Sequence, residues 1–185
     1  MSKYYISADE LLLDSYKLGA KIFDSGFRPD FIVGVWRGGT PVGISVQEIL
    51  EYLGSPSDHI AIRTSSYYGI GKQHKKVKVH GLDYIIENIN YEDQLLLVDD
   101  VFDSGSSIQA IVDTLLIKSR RNTPKDIRIA TPWYKPNNNK TERVPDYYLY
   151  ETDKWLVFPH ELQGLTEEEI FENKPGVKEI LTNRA

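Results

Sequence analysis

The sequence predicts an α/β fold: a mainly parallel sheet flanked by helices, with a small C-terminal lobe. Two observations carry this. Short, apolar, β-branched runs alternate with segments of helical period through the first 130 residues, the order that builds parallel sheets covered on both faces. Several of these runs end in small-residue turns that open a helix, as in FIVGVWRGGTP and LLLVDDVFDSGSS. The 185 residues, 41% of them hydrophobic, are enough for one domain with a real core. Residues 1–145 are expected to form that core and residues 146–185 the lobe.

The elements follow in order. Ser7-Ala8-Asp9-Glu10 has the capping-box pattern, and Leu11, Leu12, Ser15, Leu18 and Ile22 continue at helical spacing towards a stop at Gly26. The run FIVGVW, residues 31–36, reads as a buried strand. Thr40 is placed to cap the next helix, with Pro41 at its first position, Val42, Val46, Ile49, Leu50 and Leu53 on one face, and Gly54 at its end. Residues 59–64 read as a strand. Residues 65–83, with Gly69, Gly71 and Gly81 among Lys72, Lys75, Lys76 and Lys78, read as a long basic loop or a loose hairpin. Residues 94–98 form an apolar strand. The helix after it puts Ile108, Ile111, Val112, Leu115 and Leu116 on its apolar side, and residues 127–130 make a further core strand that Thr131-Pro132 closes. Residues 147–150 and 155–158 are strand candidates, and Thr166-Glu167-Glu168-Glu169 is a second capping box that opens a short helix.

Composition excludes several chemistries. With no cysteine, disulfides, thiolate catalysis and cysteine-ligated zinc are ruled out. The net charge of −5 (22 basic, 27 acidic residues) disfavours nucleic-acid binding, which needs a dense basic face. The N-terminus lacks a signal-peptide pattern and no window approaches a membrane span, so a cytoplasmic protein with no membrane partner is expected. No P-loop motif is present, and no second histidine follows His160-Glu161 at zincin spacing. His59, His74, His80 and His160 show no ligand spacing.

The chemistry concentrates in residues 95–108, LLLVDDVFDSGSSI. A strand delivers Asp99 and Asp100 to its carboxyl end, Asp103 follows, and Ser104-Gly105-Ser106-Ser107 opens a helix. Such a loop turns backbone N–H groups and hydroxyls towards a phosphate at the positive end of the helix dipole. Three carboxylates beside a phosphate require a bridging cation, and Mg²⁺ is the hard, oxygen-preferring ion that phosphates bring with them. Carboxylates also accept hydrogen bonds from sugar hydroxyls, so a sugar phosphate fits.

VDDVFDSGSS resembles the signature of the type I phosphoribosyltransferases, which bind 5-phosphoribosyl 1-pyrophosphate. The resemblance implies that Asp99 and Asp100 hold the ribose hydroxyls, that Asp103 moves a proton on the base, and that Ser104, Gly105, Ser106 and Ser107 hold the 5′-phosphate. Ser104 and Ser107 stand where threonine is typical; both keep a hydroxyl. Trp36-Arg37-Gly38-Gly39 resembles the pyrophosphate loop of the 6-oxopurine members, entered through a non-proline cis peptide, here expected between Trp36 and Arg37. Ser65-Ser66-Tyr67 resembles the family's mobile loop, with Ser66 and Tyr67 on the pyrophosphate. Lys135 stands where those enzymes contact the purine 6-oxo group. The run 155–161, WLVFPHE, resembles their base-binding hood, with Trp155 stacking, the backbone of Leu156 on the base edge, and Glu161 meeting a second Mg²⁺ or the base's 2-substituent. Asp99, Asp100 and Glu161 are the expected Mg²⁺ ligands. The implied activity is transfer of 5-phosphoribosyl to N9 of hypoxanthine, guanine or xanthine, in a homodimer or homotetramer. A regulator that binds the same sugar pyrophosphate, or a transferase for another nucleobase, remains the alternative.

Overall fold

The computed structural model describes residues 2–68 and 75–183. In chain order the elements are β1 (Lys3–Tyr5), α1 (Ala8–Asp24), β2 (Phe31–Trp36), α2 (Gly39–Tyr52), β3 (Asp58–Tyr68), β4 (Lys75–His80), α3 (Asp83–Asn88), β5 (Gln94–Val98), β6 (Val101–Phe102), α4 (Ser106–Ser119), β7 (Asp126–Tyr134), β8 (Tyr147–Glu151), β9 (Trp155–Val157), α5 (Glu167–Asn173) and α6 (Pro175–Thr182). The chain divides into two compact units, Leu12–Asp153, and Met1–Leu11 together with Lys154–Ala185.

The larger unit holds a seven-stranded sheet, β2 to β8. All its pairings are parallel except that of β3 with β4. Side chains alternate between its faces. On one face Val33, Val35, Leu95, Leu97 and Ile129 pack with Ile85, Phe102, Ile108, Ile111, Val112 and Leu115 in a single core. On the other, α2 lies so close to β2 that a Cβ added to Gly43 would touch Gly34 Cα at 3.4 Å. Leu53 and Leu116, expected on apolar helix faces, are instead exposed.

Three expectations change in detail. Thr40 caps nothing: α2 starts at Gly39 without a side-chain cap, and Thr40 Oγ1 is buried without a hydrogen-bond partner. Pro132 does not close its strand. β5 pairs with β7 up to Val98↔Ala130, and β6 resumes at Val101↔Trp133. Pro132 falls in that gap, where its missing N–H breaks no ladder bond. Over its described part, the expected basic loop of residues 65–83 is a hairpin. Ser65 pairs with Lys78 and Ser66 with Val77, because Ser66-Tyr67-Tyr68 and Val77-Lys78-Val79 carry enough β-propensity to continue the ladder. Gly69, Gly71, Lys72 and His74 lie outside the described residues, as do the side chains of Tyr67, Lys75 and Lys76.

The same pairing logic places β8. Tyr147 to Glu151 lies along β7, with Ala130↔Tyr147 and Trp133↔Tyr150, so these residues belong to the larger unit. Trp133 and Tyr150 bring their rings to 4.6 Å.

In the smaller unit β1 pairs parallel with β9, Lys3 opposite Trp155 and Tyr5 opposite Val157. Sequence reading missed β1, since three residues carry too little pattern. Lys3 pairs with Glu169 at 2.5 Å, and Lys174 Nζ donates to the carbonyls of Phe158 and Pro159. Both capping boxes form, Ser7 with Glu10 and Thr166 with Glu169.

Candidate active site

Along one edge of β7 the partner strand is interrupted: β5 ends at Val98 and β6 begins at Val101. Asp99 and Asp100 fill the break. Asp99 N–H still bonds Ala130 C=O at 3.2 Å, so the acid pair stays pinned to the sheet. Both are half-buried. Burial first, and the charge of Asp100 second, push the Asp99 carboxyl well above its usual 3.8, while N–H groups of Asp100 and Gly39 pull it back. Asp100 N–H reaches Asp99 Oδ1 at 3.0 Å.

The turn after β2 lies against this break. A Cβ on Gly38 would sit 1.6 Å from Asp100 Oδ2, and one on Gly39 would sit 2.5 Å from Val98 C=O and 2.7 Å from Asp99 Cα. At Gly39 the obstacle is backbone, so only hydrogen fits; at Gly38 a side chain would displace the Asp100 carboxylate. The peptide between Trp36 and Arg37 is cis, as expected. Arg37 and Trp36 are exposed.

Past β6, Asp103 and the loop 104–107 lead into α4. Gly105 takes φ +73 at the N-terminus of the helix, a conformation that penalises a Cβ. A Cβ there would also collide with the Phe102 ring at 2.8 Å. Ser104 Oγ bonds Ser106 Oγ at 3.1 Å, and Thr64 Oγ1 of β3 donates to Ser107 Oγ at 3.3 Å. Asp99, Asp103 and residues 104–107 line a common small pocket of about 70 Å³. Ser66 sits on β3, exposed, beyond Thr64.

Lys135 follows β7. It is only 7% exposed, and its Nζ lies 3.5 Å from Asp103 Oδ2. The other oxygen, Oδ1, accepts from Asn138 Nδ2 at 3.0 Å. Sequence reading missed Asn138, because an asparagine run after a proline looks like turn filler. It also missed how this turn buttresses the loop: Lys140 N–H bonds Ser104 C=O, and Thr141 Oγ1 would be 2.5 Å from a Cβ on Gly105.

The larger unit thus gathers Gly38, Asp99, Asp100, Asp103, Ser104 to Ser107 and Lys135, with Arg37 exposed on the chain beside Gly38. In the smaller unit Trp155 is 56% exposed, a free aromatic face, while Leu156 is buried. Glu161 accepts Phe158 N–H on Oε2 at 3.1 Å.

Two adjacent carboxylates, one held up by burial and by its neighbour's charge, suit a hard divalent cation. No group of three or more such ligands is gathered among the described residues, so remaining oxygens would come from a phosphorylated substrate. No helix among the described residues is long and apolar enough to cross a membrane.

Residues 7–164 match the family described as the phosphoribosyl transferase domain. No curated protein matches the sequence. Among solved structures, a purine phosphoribosyltransferase from Pyrococcus horikoshii is 27% identical, with a TM-score of 0.68 over 90% of this chain and 99% of that one. A hypothetical protein from Neisseria gonorrhoeae with bound ppGpp is 20% identical, with a TM-score of 0.74 over 95% and 97%. The xanthine-guanine-hypoxanthine phosphoribosyltransferase of Helicobacter pylori is 19% identical, with a TM-score of 0.64 over 97% and 99%. The last two likenesses are of fold.

Proposed function

The chain belongs to the phosphoribosyl transferase domain family, and from that membership we propose that it transfers a 5-phosphoribosyl group from 5-phosphoribosyl 1-pyrophosphate to N9 of a 6-oxopurine, releasing pyrophosphate. The observation that carries this is the packing of Gly38-Gly39 against the acid pair in the strand break, next to a helix-opening loop that shares a pocket with Asp103.

In this reading Asp99 and Asp100 accept hydrogen bonds from the ribose hydroxyls. The N–H groups and hydroxyls of residues 104–107 take the 5′-phosphate at the positive end of α4. Arg37, the Gly38-Gly39 backbone, Ser66 and Tyr67 receive the pyrophosphate. The C1′–O bond breaks and its electron pair leaves with pyrophosphate, while the N9 lone pair closes the new C1′–N bond. Asp103 takes the proton that the base gives up. Lys135 donates to the 6-oxo group and so selects this purine class. Mg²⁺, held by Asp99 and Asp100 with oxygens of the substrate, would supply charge neutralisation for the leaving pyrophosphate, and Glu161 is the expected ligand of a second Mg²⁺ or of the base's 2-substituent. The stacking role of Trp155 and the edge contact of Leu156 rest on the sequence and on the exposure of the Trp155 ring. The expected assembly is a homodimer or homotetramer, which light scattering on the purified chain would measure.

The test is incubation with the sugar pyrophosphate, Mg²⁺ and, separately, hypoxanthine, guanine, xanthine, adenine and uracil, followed by chromatography. Nucleotide from one or more of the 6-oxopurines is expected. Product from uracil or adenine alone would remove the 6-oxopurine assignment and keep the transferase. Absence of nucleotide from every base would sink the transferase reading and leave the regulator that binds the sugar pyrophosphate as the alternative.

A further inference from the structure

The turn after Lys135 holds three consecutive asparagines with three different partners. Asn137 Nδ2 bonds Asp153 at 2.8 Å. Asn139 builds the turn itself: its Nδ2 donates to Arg143 C=O, and its Oδ1 accepts from Thr141 N–H and Oγ1. Asn138 alone directs its amide to a group of the candidate site, Asp103 Oδ1 at 3.0 Å.

The backbone arranges this. Lys135 N–H bonds Phe102 C=O at 2.9 Å, tying the start of the turn to the residue before Asp103. Pro136 opens a 3-10 turn over Pro136–Asn138, and Asn138 N–H closes it on Lys135 C=O at 3.1 Å. One short turn therefore presents two donors to the two oxygens of one carboxylate. The ammonium of Lys135 faces Oδ2, and the amide of Asn138 holds Oδ1. Asp103 is about half exposed, so without such restraint its carboxylate would rotate between water-facing rotamers. A proton acceptor must keep one geometry relative to its donor.

We propose that Asn138 is a positioning residue that fixes the Asp103 carboxylate through Oδ1. This rests on the role given to Asp103 above. In this role Asn138 acts through Asp103 and not on a substrate, so its removal acts on turnover and not on binding.

Three variants test it in the nucleotide-forming assay. Asn138→Ala lowers kcat roughly tenfold, the effect of losing one hydrogen bond to a charged group, while KM for the sugar pyrophosphate stays within about twofold of the wild type, a change worth under half of one such bond. Asn138→Asp is the discriminating change. Aspartate serves a turn as well as asparagine does, so a merely structural residue would tolerate it. A positioning residue would not, because a second carboxylate faces Asp103, and kcat falls below that of the alanine variant. In an Asp103→Asn background, Asn138→Ala causes no further loss. Wild-type kcat in both single variants overturns the proposal. So does an Asn138→Ala penalty that persists undiminished in the Asp103→Asn background. If the wild type makes no nucleotide from any base, the transferase reading fails first and takes this one with it. Turnover that is lost in Asp103→Asn but untouched in the Asn138 variants sinks only the role of Asn138.

Discussion

At Gly38 a single hydrogen separates the backbone from the carboxylate of Asp100. Gly38→Ala puts a carbon 1.6 Å from Asp100 Oδ2, so either the carboxylate swings away or the turn lifts. Both outcomes disturb the proposed ribose and pyrophosphate contacts together. Affinity for the sugar pyrophosphate, measured by calorimetry, should fall at least tenfold, the equivalent of losing one charged contact. Asp103→Asn behaves differently: turnover drops by about 10²–10⁴, the usual contribution of a proton-transfer group, with sugar-pyrophosphate binding largely kept. Asp99 adds a dependence on pH. Its carboxyl is raised in the folded chain, so the unfolded chain ionises it first as pH climbs. Stability from this group is intact below 3.8 and is lost as pH rises through the folded value. In buffer free of divalent ions, Asp99→Asn should therefore melt at a higher temperature than wild type at pH 7, and the gap should close by pH 3.5. A variant that melts lower at pH 7 would show that the burial is compensated. The placement of the acids, the serines and Lys135 in turns that follow strands was legible in the sequence, because each turn comes directly after an apolar run. Asn138 was not legible, since its place beside Asp103 comes from a turn whose tie to Phe102 no local pattern announces.

Elements divide the same way. The strands of residues 31–36 and 94–98 could be read directly, being short, apolar and buried on both faces. Leu97, fully buried in the core under α4, anchors one of them; Leu97→Ala should cost about 2–5 kcal/mol in denaturant unfolding. The hairpin of β3 and β4 was ambiguous, because its alternation of lysine with valine supports either a solvated loop or an edge ladder. Pairing decided between them. β7 ran past its proline for a reason outside its own residues: the strand beside it is broken at the matching level. At the start of α4, Gly105→Ala imposes about 1–2 kcal/mol of left-handed strain and a collision with Phe102. Thermal melting should show that loss even without substrate.

For the whole molecule, the mainly parallel α/β class followed from alternation, and the family match over residues 7–164 agrees with it, while α3, β6 and α6 were not read from the sequence. The N-terminal strand did not follow. β1 exists through its pairing with β9, some 150 positions later in sequence, and only tertiary contact creates such a strand. The same holds for the division of the chain, which joins its first eleven residues to its last thirty-two.

The interrupted strand beside β7 also limits how this protein can change its length. Residues 99 and 100 are fastened on both sides, since Val98 and Val101 each hold a fixed register on β7. One inserted residue would shift everything after it by one position and turn Phe102 from the core towards the opposite face. The proposed substrate-holding acids therefore sit on a stretch that can accept substitutions but no insertions or deletions. Length variation among natural homologues should gather instead at surface connections, and a library of single-residue insertions scored for soluble expression should find residues 97–103 the least tolerant segment of the sheet.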